Sequence, residues 1–197
     1  MGTLKCTFEL AGVSPLGFSA PINSLKNTGE THDAFEERTW RERVRRDDAG
    51  FAYMVPMAIK NMLSESAKFL SETVGGKGKA TFTKHFEAGI LVIDRFPILV
   101  KGEKVKADEI PGQRLFVPAS GKRGDGKRVW KTFPVLEKWS VKCELYAVDP
   151  VLIDKPDKIR EYLVNGGKLI GLGMSRPRNN GYWGRFDVVN FKATKEE

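Results

Sequence analysis

Histidine and cysteine are close to absent from this 197-residue chain, which carries two of each. Two thiols, Cys6 and Cys143, cannot build a disulfide framework. With His32 and His85 far away in sequence, they do not make a zinc site either. No apolar run approaches the ~20 residues that a membrane span needs. Gly-x-Ser-x-Gly, His-Glu-x-x-His and any Gly-Lys-Ser/Thr are missing, so the signatures of a serine α/β-hydrolase, a zinc protease and a Walker loop are absent. The opening residues Met1 to Thr7 alternate apolar and polar, and Cys6 stands where a myristoylation signal wants Ser or Thr. A cytoplasmic protein without a leader is therefore expected.

Acid is the other shortage. Lys and Arg number 33 against 25 Asp and Glu, a net charge of +8. The isoelectric point near 9.5 favours a polyanionic partner, nucleic acid above all. With 41% hydrophobic and 29% charged residues, the chain has the composition of one globular domain and not of a disordered segment.

Period-two alternation from Leu4 to Leu10 predicts a half-buried strand, and the same pattern recurs from Trp139 to Ala147. Ile59, Met62, Leu63, Ser66/Ala67 and Leu70 predict a helix that opens at Pro56 and ends before Gly75-Gly76-Lys77-Gly78. A short buried strand is expected at Ala88–Ile93. A second helix should open at Asp154 and Pro156, with Ile159, Tyr162, Leu163 and Ile170 inward and Gly166-Gly167 interrupting it. Arg185–Phe191 reads as the last strand, and Ala193 to Glu197 as a frayed tail. The segments 12–50 and 96–136 read as insertions, the second irregular with short strands at Arg114–Val117 and Arg128–Trp130. Strand, helix, strand, insertion, strand, helix, strand is the α+β, ferredoxin-like (RRM-like) βαββαβ order, a four-stranded antiparallel sheet with both helices on one face. Cys6 and Cys143 fall on apolar faces of its central strands and are expected to be buried thiols.

Three constellations are candidates for binding. Gly171 to Phe186 combines four glycines with Arg176, Arg178 and Arg185 for phosphate and with Tyr182 and Trp183 for stacking bases. Its Gly-x-Gly follows a helix and precedes a strand, the reverse of a dinucleotide fingerprint. The alternative is a tight connection whose aromatics pack on the core. The Lys122 to Lys131 loop holds Lys122, Arg123, Lys127, Arg128 and Lys131 beside Trp130, with Asp125 as its acid. It is either a cationic finger over a backbone or a mobile loop. In Glu36 to Asp48 arginines flank Trp40, with Arg41 and Arg45 as the binding candidates, though interleaved acids also fit a salt-bridged, solvated segment. No catalytic residue, cofactor or metal is assigned: His32 and His85 are isolated, and Asp33, Asp47 and Asp48 have no second ligand set.

Gly171 to Phe186 resembles the glycine-rich loop between the second helix and last strand of the RAMP superfamily, the group containing the Cas5, Cas6 and Cas7 proteins. Val55-Pro56-Met57-Ala58-Ile59-Lys60-Asn61-Met62-Leu63 resembles the Ile-Pro-Gly-Ser-Ser-Ile-Lys-Gly-Ala-Leu helix start of Cas7-like members, with Met57, Ala58 and Asn61 departing from it. The succession Pro15-Leu16, Pro56, Phe133-Pro134, Trp139-Ser140, Gly171-Leu172-Gly173, Arg176-Pro177 and Gly184-Arg185-Phe186 is similar to a protein type of tailed phages encoded near recombination and replication genes. The resemblance implies a non-enzymatic, sequence-independent binder of single-stranded nucleic acid, DNA before RNA. It maps backbone binding onto Lys60, Arg176, Arg178 and Arg185. It also implies a homo-oligomer or filament on the strand, a phage recombinase as a possible partner, and no membrane. Two alternatives remain at this stage: a host-interaction protein imitating a Cas subunit, such as a CRISPR inhibitor, and a RAMP-type RNA-binding protein or ribonuclease, although neither histidine matches a Cas6-like site.

Overall fold

The computed structural model describes residues 2–76, 78–121, 124 and 126–196. Its strands are β1 (Thr3–Gly12), β2 (Leu16–Gly17), β3 (Tyr53–Met54), β4 (Ile90–Leu91), β5 (Phe96–Val100), β6 (Glu103–Lys104), β7 (Gly112–Pro118), β8 (Arg128–Leu136), β9 (Ser140–Ala147) and β10 (Phe186–Glu196). Its α-helices are α1 (His32–Thr39), α2 (Pro56–Leu70), α3 (Thr83–Gly89), α4 (Pro150–Ile153) and α5 (Pro156–Asn165). The protein is thus α+β, and every strand pair described is antiparallel.

The alternation of β1 and β9 sets the centre of the larger sheet. Leu4, Cys6, Phe8 and Leu10 stand opposite Ala147, Leu145, Cys143 and Val141, so one face is continuous apolar surface. β10 lies on the far side of β1. Both β4 and β5 pair with the other side of β9, and β5 goes on to pair with β3 and β6, so the sheet has seven strands where four were expected. α2 and α5 bury their apolar stripes in this core. α2 starts at a proline, whose missing amide costs nothing in a first turn, and stops at Ser71 in a left-handed turn (φ 48°). After α5 comes a π-turn, Gly166–Ile170, where side chains would not fit. A Cβ on Gly166 would overlap the Met62 sulfur, and one on Gly167 would lie 2.8 Å from the Phe186 ring.

β2, β8 and β7 form a second sheet. The stretch around the short strands expected at Arg114–Val117 and Arg128–Trp130 is a long hairpin that contains and extends both, paired from Gly112↔Pro134 to Pro118↔Arg128. β8 runs past the expected strand into Phe133–Leu136, all buried, where apolar residues follow one another without the alternation that marks a strand. The two insertions pack on each other. Glu36 of α1 is buried, accepting from the Thr132 amide (2.7 Å) and from Arg43 (3.0 Å).

Two further expectations are corrected. The tail is not frayed up to Glu196, because β10 continues along β1 to the pair Thr3↔Glu196, and ladder hydrogen bonds require no apolar side chains. Most of Ala88–Ile93 is not strand. α3 reaches Gly89, where a side chain would overlap the Asp149 Cβ, leaving Ile90–Leu91 for β4.

Candidate nucleic-acid interface

The glycine-rich loop is a knot closed on its own backbone. Gly171, Gly173 and Gly184 take positive φ, and a Cβ on Gly184 would overlap the Leu172 carbonyl. Leu172 donates its amide to Gly184 (3.0 Å), Trp183 to Ser175 (3.0 Å) and Met174 to Gly17 of β2 (3.0 Å). The Ser14 hydroxyl donates to the Tyr182 carbonyl and accepts from the Arg185 amide. The close approach that these glycines permit is to the protein itself.

This packing divides the expected site. Trp183 is only 5% exposed, its ring against Gly17, so it cannot stack a visiting base. Arg176 is held by Glu65 at 3.0 Å and so is pinned to α2. The Arg185 guanidinium donates to the Lys168 carbonyl, at 2.6 Å. Arg178 is exposed and without an ion pair among the described residues, and Tyr182 is 66% exposed. Of the loop's five candidates, Trp183 is closed off and Arg176 is paired; Arg178 and Tyr182 are open, and Arg185, half-buried, spends one donor on a carbonyl as Arg128 of the hairpin does on that of Phe116.

Residues 16–20, residues 43–58 and Gly173 meet at a cleft of about 310 Å³. It is lined by Arg43 and Arg45, by Val55 and Ala58 at the start of α2, and by Gly173. α2 has fifteen residues, no side-chain N-cap and no acid in its first turn, so its positive end is uncompensated. Lys60 lies one turn further along, half-buried.

The hairpin carries the second surface. Phe116 and Trp130 are cross-strand partners with ring centroids 5.2 Å apart, 46% and 48% exposed. Arg114 sits 5.1 Å from the Trp130 ring and Arg128 5.2 Å from that of Phe116, so arginine and aromatic alternate along one face. Arg114 and Phe116 were not singled out from sequence. Only the register, which places them beside Trp130 and Arg128, marks them. Lys131 gives one donor to the Ala119 carbonyl (3.1 Å), as Arg128 gives one to that of Phe116. Lys127 is exposed at the tip, and Lys122 and Arg123 lie outside the described residues. At the hairpin base is a hollow of about 300 Å³ lined by Asp33, Glu36, Glu37, Trp40, Arg114, Trp130 and Thr132. Arg41 stacks on Trp40 at 4.2 Å.

No family model matches this chain, and no curated protein does. Its fold does have a counterpart. A chain from the cryo-EM structure of the type III-B Cmr-beta bound to cognate target RNA superposes with a TM-score of 0.54 at 10% identity. The match covers 98% of this chain, which spans 61% of the other. The likeness is one of fold.

Beyond that surface the chemistry is sparse. Among the described residues no group of three or more His, Cys, Asp or Glu could hold a metal, and no helix is long and apolar enough to cross a membrane. Burial pushes the Cys6 thiol up to about 12 and raises that of Cys143 as well. His85 is buried with Nδ1 2.9 Å from Asp149, which itself caps α4. On the face of β1 and β9 opposite the helices, Lys5, Glu144 and Tyr146 bind one another. That face presents ion pairs where an RNA-recognition sheet would present stacking rings.

Proposed function

We propose that this protein is a RAMP-like, non-enzymatic binder of single-stranded nucleic acid, DNA before RNA, acting in phage replication or recombination. The strand order β10, β1, β9, β4/β5, with α2 and α5 as the two crossovers, fits a ferredoxin-like core. The observation that carries the reading is the alternation of exposed rings and guanidinium groups on the hairpin, Arg114, Phe116, Arg128 and Trp130. Rings stack bases whatever their identity, and arginines neutralise the backbone between them. Arg45, Arg178 and the open end of α2 supply further phosphate contacts. The fold counterpart comes from a complex bound to RNA, which supports a nucleic-acid ligand. Further copies along the strand, and a recombinase partner, belong to the same proposal.

Fluorescence anisotropy with labelled single and double strands at two salt concentrations tests it. If about four phosphates are neutralised, the slope of log K against log salt is about −3 for a single strand. Phe116→Ala with Trp130→Ala weakens binding by tenfold or more, since each stacked base contributes roughly 1–3 kcal/mol. No binding at ~50 mM salt, or a double variant that binds like the parent, overturns the proposal. Matched DNA and RNA oligomers decide between the two polymers, and light scattering with longer strands reads whether further copies add.

A further inference from the structure

The hollow at the hairpin base does not suit a phosphate backbone. Asp33, Glu36, Glu37 and Trp40 lie at i, i+3, i+4 and i+7, one face running from α1 into the turn after it. Glu36 is consumed, one oxygen by Arg43 and the other by the Thr132 amide. Asp33 and Glu37, one helical turn apart, are exposed and without an ion pair among the described residues. In a chain with +8 net charge, this hollow sets two open carboxylates and two tryptophans against a single arginine, Arg114, a local balance that repels a polyanion. They complement the N–H donors of a base edge, while apolar ring surface complements its faces.

We infer that this hollow is a nucleobase pocket: one base of the bound strand leaves the stack, lies against Trp40 and Trp130, and gives its N–H groups to Asp33 and Glu37. The inference rests on the single-strand reading above and adds a base preference to it. A carboxylate has two acceptor oxygens, which match the parallel N1–H and N2–H donors of guanine. Adenine and cytosine offer an exocyclic amine beside a ring-nitrogen acceptor, and thymine and uracil offer a single ring N3–H between two carbonyls. The order expected is therefore guanine first, as the one base that presents two parallel N–H donors, with the others below it. Arg114, which also lines the hollow, and Arg41, stacked on Trp40, are placed to meet the flanking phosphates. The volume of about 300 Å³ is at the small end of ligand clefts, in keeping with one base and not a base pair.

The test uses an oligothymidylate of about fifteen nucleotides with one central position changed to guanine, hypoxanthine, adenine or cytosine. Guanine should bind about tenfold tighter than thymine, and hypoxanthine, which keeps N1–H but lacks the amine, should fall to the level of thymine with its single N3–H. Asp33→Asn with Glu37→Gln should abolish the preference. The same variant should bind plain oligothymidylate slightly more tightly, because two negative charges leave the surface. Equal binding of all five strands, or a preference that survives the double variant, overturns the pocket while leaving single-strand binding intact. Failure to bind any strand overturns the functional reading first and the pocket with it. A lysine-rich peptide that binds in place of the oligomers and is lost in the double variant assigns the hollow to a protein partner and also overturns the inference.

Discussion

Glu36 is the residue whose removal tests the architecture of the interface most directly. Its side chain and that of Arg43 are each 8% exposed, so the pair sits in low dielectric. One carboxylate oxygen holds Arg43 at 3.0 Å and the other holds the Thr132 amide at 2.7 Å, joining α1 to β8. Arg43 lies 5.0 Å over the Phe133 ring, and its Nη1 has no partner among the described residues. Glu36→Ala therefore strands a buried guanidinium and a backbone amide at once. Breaking a buried pair from one side costs about 3–5 kcal/mol, which for a chain of this size lowers Tm by roughly 10 °C. Adding Arg43→Met removes the stranded charge and leaves only the amide, a cost of about 1–3 kcal/mol. The double variant should thus be more stable than Glu36→Ala alone. Urea titration followed by tryptophan fluorescence and far-UV ellipticity reads all three proteins. A single variant that loses less than ~1 kcal/mol, or a double variant no better than the single, would refute the idea that this pair clamps the hairpin to α1.

Three further outcomes follow from the geometry. Trp183→Ala should destabilise the fold by about 3–5 kcal/mol in a thermal melt, while Tyr182→Ala leaves Tm within about 1 °C, because one ring is core and its neighbour is exposed. Cys6 and Cys143 should resist a thiol reagent at neutral pH in the native protein and react in urea, since burial raises both thiols above the ordinary range. For Asp149, burial pushes the carboxyl up, but the bonds from His85 and the Val151 amide outweigh it and leave it below 3.8. A carboxyl whose folded value is depressed adds stability above its unfolded value, and that stability is lost as pH falls through the folded one. Carboxyl NMR should find Asp149 titrating low, and His85→Ala should move it upward.

Alternation in β1 and β9, the stripes of α2 and α5, and the burial of both cysteines were written locally, because strand and helix periods repeat within a few residues. Charge and composition likewise needed no structure to point to a polyanion and away from a membrane span. What distinguishes Tyr182 from Trp183, or Arg178 from Arg176, is nowhere in their own neighbourhood. Ser14, 168 residues away, holds the loop at Tyr182, Gly17 receives the Trp183 ring, and Glu65 captures Arg176. The hairpin face is of the same kind, since Arg114 and Phe116 acquire meaning only when register sets them beside Trp130 and Arg128. Periodicity decides which face of an element is apolar. Which exposed groups converge is decided by contacts between segments that meet only when the chain closes on itself.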